Sequence, residues 1–269
     1  MTAPFAPFVL LPSYNTGPRL TGVVAEVLRH WQPVQVVLDG STDGSGAAVV
    51  ALAARTPGLS VVTLPRNSGK GAAVLAGLAA ARARGWTHAL VMDADGQHPA
   101  ASIAEFMEAA RRQPEAMILG RPVFGPEAPR ERLYGRQVSV GLVRLATLGP
   151  AIADPLFGFR VYPVRALLAA LGPRRTGRRY DFDTEAAVRL CWAGVRPVNL
   201  PAPVRYFTAA EGGVSHFNYL RDNLTLAALH LRLAAELLAR WPAVLRHRRR
   251  WRAAGRPGAD APRLAGAAR

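Results

Sequence analysis

Four apolar runs, 8–12, 34–38, 60–64 and 88–92, each end in a polar loop, and each loop leads into a segment with apolar residues at helical spacing: 20–31, 47–54, 71–84 and 103–112. Strands that are apolar along their whole length must be covered on both faces. The alternation therefore predicts an α/β fold with a mainly parallel sheet flanked by helices, in which ligands meet the loops beyond the carboxyl ends of the strands.

Past this region the pattern is less regular. A strand is expected at 116–119, a mobile loop where Pro, Gly and Arg crowd 120–136, a helix at 141–148, a strand at 158–162, helices at 165–171 and 183–192, and a last strand at 195–200. From 219 to 238, Leu220, Leu224, Ala227, Leu231, Ala234 and Leu238 recur every three or four residues, which predicts an amphipathic helix. The expected organisation is an α/β domain over 1–217, this C-terminal helix over 218–245, and a basic tail over 246–269 too poor in apolar residues to order itself.

The chain carries 34 Lys and Arg against 18 Asp and Glu, a formal +16, which asks for an anionic partner or surface. Half of the excess lies in the last thirty residues, with nine arginines and one acid, Asp260. No basic stripe is interleaved with stacking aromatics, so nucleic acid is not expected as a partner. The single cysteine, Cys191, can form neither an internal disulfide nor a thiolate metal site, and no signal-peptide pattern opens the chain. A reducing, cytoplasmic setting is expected. The apolar runs 72–81 and 224–239 are too short or too interrupted by charge to span a bilayer, which takes about 20 apolar residues.

The strand-end loops carry the chemistry. Asp93-Ala94-Asp95-Gly96-Gln97-His98 follows directly on the run 88–92, so two carboxylates emerge together at the ligand edge. Mg²⁺ takes oxygen ligands and needs only one or two protein carboxylates when substrate phosphates complete its shell. The plainer alternative is an Asp-Gly turn capping the helix near Ala101. In Asp39-Gly40-Ser41-Thr42-Asp43-Gly44-Ser45, Asp39 suits a nucleobase ring N–H and Gly40 lets the backbone approach a ligand, while Asp43 and Ser45 equally suit a helix N-cap. Pro65-Arg66-Asn67-Ser68-Gly69-Lys70-Gly71 is a basic loop before a helix, where N–H groups attract phosphate, and Lys70 is the only lysine of the protein. It is not a P-loop, because Leu64 stands where the first glycine is required.

Together these loops resemble the family 2 glycosyltransferases of GT-A fold, and within them the polyprenyl-phosphate (dolichol-phosphate) mannose synthase-like branch. The matching elements are Leu11-Pro12-Ser13-Tyr14-Asn15, Asp39-Gly40-Ser41-Thr42-Asp43, Asn67-Ser68-Gly69-Lys70-Gly71 and Asp93-Ala94-Asp95-Gly96-Gln97-His98-Pro99. Downstream, Asp154-Pro155-Leu156-Phe157-Gly158-Phe159-Arg160 and Gly213-Val214-Ser215-His216 extend the resemblance to about residue 220. It implies that Pro12, Tyr14, Asn15 and Asp39 line a nucleoside pocket, that Asp93, Asp95 and Gln97 hold Mg²⁺ or Mn²⁺ on a donor diphosphate, that Lys70 and His216 face that diphosphate, and that Arg160 meets an acceptor phosphate. Two positions depart from the family pattern: Leu38 replaces the first of its paired acids, and His216 stands where it has lysine.

The implied reaction is metal-dependent, inverting transfer of a sugar from a UDP- or GDP-linked donor to a polyprenyl phosphate or another lipid or cell-envelope acceptor. A lipid phosphate is already ionised at neutral pH, whereas a hydroxyl needs a base; Asp154, Asp183 and Glu185 are the candidates. The arginines at 174, 175, 178 and 179, the helix 219–238 and the basic tail fit a chain lying on the anionic inner face of a membrane, and packing of that helix on the domain is an equal reading of its apolar stripe. A nucleotidyltransferase and a non-catalytic nucleotide-binding scaffold are the competing readings.

Overall fold

The computed structural model describes residues 4–125, 130–172, 179, 181–205 and 219–253. Seven strands, β1 (Pro7–Ser13), β2 (Val34–Asp39), β3 (Leu59–Leu64), β4 (His88–Val91), β5 (Met117–Phe124), β6 (Arg160–Pro163) and β7 (Pro197–Val204), form one sheet in the order β3-β2-β1-β4-β6-β5-β7. β6 runs antiparallel to β4 and β5; the remaining pairs are parallel. The expected mainly parallel sheet is present, with one reversed strand, β6, between β4 and β5.

Alternate residues of each strand feed opposite faces. Phe8 and Leu10 of β1 join the core under α3 (Lys70–Ala83), α6 (Val164–Leu171) and α7 (Phe182–Trp192), while Val9 and Leu11 join the core under α1 (Arg19–His30) and α4 (Ile103–Arg112). Between β2 and β3, α2 (Ser45–Ala53) packs beside α1. Every residue of α7 is buried, because α5 (Arg130–Ala146) and α8 (Tyr219–Ala253) lie over it.

Two expectations are corrected, and a choice the sequence leaves open is decided. The segment expected as a loop at 120–136 is the second half of β5 and the first part of α5, since β5 stays in register with β7 from Met117↔Pro197 to Phe124↔Val204. Pro122 is tolerated because β6 pairs with β5 only at Ile118 and Leu119, so the far side of β5 needs no donor there. The C-terminal helix does not stop at 245 but continues to Ala253 and is tied to the domain: Arg189 reaches both Glu236 oxygens (2.9 and 2.8 Å) and Arg248 reaches the Thr147 carbonyl (3.2 Å). Finally, the stripe Leu224, Leu231, Leu238 faces outward, and Leu226, Leu229, Leu233 and Leu237 make the core contact. The helix has two apolar faces, and periodicity alone does not say which one meets the domain.

Candidate active site

The loops after the first four strands are stitched to one another by their own polar side chains. Asn15, with φ of +46°, takes the Thr42 N–H on its Oδ1 (2.8 Å), and its backbone N–H meets Ser41 Oγ (3.1 Å). Asp43 accepts the Gly17 N–H (2.7 Å) and the Ser45 N–H and hydroxyl, bracing the β1 loop against the first residue of α2; the N-cap position itself is Gly44, not the expected Asp43 or Ser45. Pro12 is buried as the last but one residue of β1, which Ser13 closes, and Tyr14 follows in the loop at its end.

Asp39 is buried beneath the β3 loop and accepts the backbone N–H groups of Ser68 (2.8 Å) and Gly69 (2.7 Å), one on each oxygen. The amides expected to attract a phosphate at the start of α3 are therefore held by this carboxylate, and the loop is shaped by an internal anion. Close packing of the two loops requires Gly40: its φ is +67°, and a Cβ there would lie 2.5 Å from Arg66 Cα and Asn67 N. Backbone cannot swing aside as a side chain can. Gly40→Ala is expected to cost about 2–4 kcal/mol, from the left-handed conformation plus the overlap, read as a lowered urea midpoint at unchanged slope.

At the centre, Lys70 Nζ lies 2.6 Å from Asp93 Oδ1 and 2.6 Å from Asp183 Oδ2, joining the loop after β4 to the start of α7. Gly158 allows this, since a Cβ there would stand 2.6 Å from Lys70 Nζ and 2.9 Å from Asp93 Oδ2. Burial works against the ammonium, but Asp183 and Asp93 outweigh it and hold Lys70 protonated. Burial likewise works against ionised Asp93, and the charge of Lys70 more than offsets it, so Asp93 sits below the ordinary carboxylate value. Asp95 is shifted upward by burial and by its neighbour Asp93, while its Oδ1 accepts the Gln97 N–H (2.9 Å). Gln97 and His98 also line a cavity of about 570 Å³ together with Arg19, Glu26 and Arg205.

His98 was part of the motif in the sequence but carried no role there. Its Nδ1 accepts the Asp93 backbone N–H (2.9 Å), which places the ring proton on Nε2, 3.7 Å from Asp93 Oδ2. Burial lowers its pKa, and edge contacts with Phe157 and Phe159 fix the ring. The imidazole thus holds the turn that presents Asp93 and Asp95. The only sequence signal for it was a histidine five residues after the first acid of a strand-end turn.

Three expected catalytic residues have other tasks. Arg160 is fully buried and cannot meet an acceptor phosphate. It donates to the carbonyls of Phe157 (2.6 Å), Asp183 (2.5 Å) and Asp154 (3.1 Å) and to the Tyr162 hydroxyl (3.1 Å), because β6 places it beneath the site. Glu185 is also fully buried, paired with Arg189 (2.7 Å) and Arg232 (3.1 Å) under α8, away from any base's work. The Asp154 carboxylate is taken by Arg136 (2.6 Å) and by the N–H groups of Leu156 and Phe157. Arg136, inside the segment expected as a loop, is thereby brought to the site by α5. Asp183 keeps one buried oxygen, Oδ1, with no hydrogen-bond partner, a leftover acceptor of the kind found at functional positions. His216 and the arginines 174, 175 and 178 lie outside the described residues.

Among the described residues no cluster of three or more His, Cys, Asp or Glu could hold a metal ion. Asp93 and Asp95 do fit a divalent cation that shares its shell with a diphosphate: two neighbouring carboxylates, one pushed upward by the other, are relieved by a cation, and Mg²⁺ needs no more from the protein than these.

The model of the family described as "Glycosyl transferase family 2" matches residues 8–168. The polyprenol monophosphomannose synthase of Mycolicibacterium smegmatis is 31% identical over 214 residues, 77% of this chain and 79% of that protein. The undecaprenyl-phosphate mannosyltransferase of Micrococcus luteus is 28% identical over 71% of this chain and 80% of its own length. Among solved structures, glucosyl-3-phosphoglycerate synthase from Mycobacterium tuberculosis, in complex with Mn²⁺, UDP-glucose and phosphoglyceric acid, superposes with a TM-score of 0.56 at 18% identity, over 88% of this chain and 80% of that one; the shared architecture is the GT-A fold. The family match spans the four stitched loops and the Asp93–Asp95 turn, and it sets aside the nucleotidyltransferase and scaffold readings: the chain belongs to glycosyl transferase family 2 and is a glycosyltransferase.

Proposed function

We propose that this chain transfers a sugar from a nucleoside-diphosphate sugar to a polyprenyl phosphate at the surface of a membrane, with inversion at the anomeric carbon. The observation that carries the reading is the Lys70–Asp93–Asp183 bridge beside Asp95 at the end of β4. Supporting it, relatives alike over most of their length are named for mannosyl transfer onto polyprenyl phosphates. Asp93 and Asp95, with Gln97 beside them, would hold a divalent cation, whose chemistry is Lewis-acid stabilisation of the departing diphosphate, an effect of several kcal/mol.

The protein's own groups supply the rest. The braced loops 13–17 and 39–45 form the floor of a nucleoside site with Pro12, Tyr14, Asn15 and Asp39 along it. Lys70 places a buried positive charge between Asp93 and Asp183, where negative charge builds as the sugar leaves. A phosphate acceptor is already ionised and attacks without a base, so the site does not need one. Should a hydroxyl be the acceptor, Asp183 is the remaining candidate, through its unpaired Oδ1. No described helix is long and apolar enough to cross a membrane, which is consistent with a peripheral mode of attachment.

The test is a panel of UDP- and GDP-linked sugars with a water-soluble short-chain polyprenyl phosphate. One donor is expected to yield a lipid-linked sugar of inverted configuration; EDTA should abolish the product and added Mg²⁺ or Mn²⁺ restore it. Transfer undiminished in EDTA would remove the cation from the reading, and absence of transfer from every donor would remove the acceptor class.

A further inference from the structure

Nine large apolar side chains are exposed among the described residues, and seven of them lie on the adjacent helices α5 and α8. On α8, Leu224, Leu231 and Leu238 follow one another at seven-residue spacing, Leu231 and Leu238 being 74% and 79% exposed, and Trp241 extends the row. The residues between them on that face are alanines, Ala227, Ala228, Ala234 and Ala235, all exposed. On α5, Val138, Leu142 and Leu145 form a second exposed apolar row, beside the side on which Val143 and Ala146 enter the core. A helix apolar on two opposite faces is one that expects cover on both.

Among the described side chains, the charges beside this surface are of one sign. Past Trp241, α8 exposes Arg246, Arg249, Arg250 and Arg252. Its two carboxylates are turned inward: Asp222 is buried, and Glu236 is paired with Arg189. A second copy of the chain brings no described α8 carboxylate to meet these arginines, whereas an anionic lipid surface meets both the leucines and the arginines, with Trp241 at the level where an amphipathic ring belongs. The position suits the chemistry as well. Arg136, which reaches Asp154 at the site, lies on the inward side of α5 within one turn of Val138.

We infer that the outward faces of α5 and α8 form the docking surface of this enzyme for an anionic membrane, lying flat in the interface and bringing the site to the headgroup of its acceptor. The inference rests on the lipid-phosphate reading above, but its test does not.

Sedimentation of the full chain is measured with phosphatidylcholine vesicles, with and without phosphatidylglycerol, in the absence of donor and acceptor. The protein is expected to bind the anionic vesicles, more weakly as salt rises. The double variant Leu231→Gln/Leu238→Gln should lose about tenfold or more in partitioning, with an unchanged thermal midpoint, because these side chains touch no core. Arg249→Ala/Arg252→Ala should weaken binding to anionic vesicles specifically. Transfer to a water-soluble short-chain acceptor should be unchanged in both variants, which separates docking from chemistry: wild-type protein that binds vesicles but transfers nothing supports the surface and sinks the acceptor reading. Vesicle binding that is absent, or equal in wild type and the leucine variant, would overturn the inference. So would a wild-type dimer in light scattering that the leucine variant converts to monomer, since the surface would then belong to a second copy.

Discussion

Asp95→Ala is expected to lower the turnover of sugar transfer by about a thousandfold or more, equivalent to about 4 kcal/mol of transition-state stabilisation, while the thermal midpoint stays the same or rises. The two halves have one cause. Burial and the charge of Asp93 raise the Asp95 pKa, so the fold favours its protonated form. Its contribution to stability is present below the ordinary carboxylate value and is lost as pH rises through the raised one, which makes ionised Asp95 a cost at neutral pH. Such a carboxylate is retained for what it binds, and its removal should separate activity from stability. Turnover at saturating donor and cation, beside thermal unfolding at neutral pH, is the measurement. A variant as active as wild type removes Asp95 from the chemistry, whereas one both inactive and markedly destabilised makes it a structural residue.

Arg160→Met is expected to destabilise the protein by about 3–5 kcal/mol, because it strips a buried guanidinium from three backbone carbonyls that have no water to turn to. The kinetic signature distinguishes the two roles considered for this residue. A group that binds acceptor phosphate raises the acceptor KM when lost. Arg160 instead fixes the backbone of Asp154 and Asp183, and through Asp183 the position of Lys70, so kcat should fall and no acceptor concentration should restore it. A normal kcat with a raised acceptor KM, in a variant as stable as wild type, would return Arg160 to the acceptor.

The first half of the fold was legible because each of its signals is local. Runs such as Val34–Asp39 are apolar on both faces, end in polar loops and precede helices, which leaves parallel strands as the consistent arrangement. The second half depended on distant pairing. Nothing near Pro122 announces a strand, and the strand exists because β7, itself carrying Pro197, Pro201 and Pro203 at the sheet edge, runs beside it. The Asp93–Asp95 turn could be read from its place after β4, yet Lys70, read as a diphosphate contact, also proved to hold Asp93 to Asp183 across the site. The resemblance gave Arg160 to an acceptor phosphate and Glu185 was a candidate base, and neither reading anticipates burial: the carbonyls and guanidiniums that make it tolerable come together only in the folded chain. In α8 the apolar spacing left open whether the helix packs on the domain or lies on a membrane; a second set, Leu226, Leu229, Leu233 and Leu237, packs on the domain, and Leu224, Leu231 and Leu238 stand in solvent.

Anomalous diffraction at the manganese edge, from crystals grown with Mn²⁺ and the donor sugar selected by the transfer panel, tests the account at its centre. A single strong peak is expected at coordination distance, about 2 Å, from a carboxylate oxygen of the Asp93–Asp95 pair, with the diphosphate completing its shell and Lys70 close by. A diphosphate and ion found together elsewhere on the protein, with Asp93 and Asp95 untouched, would contradict it.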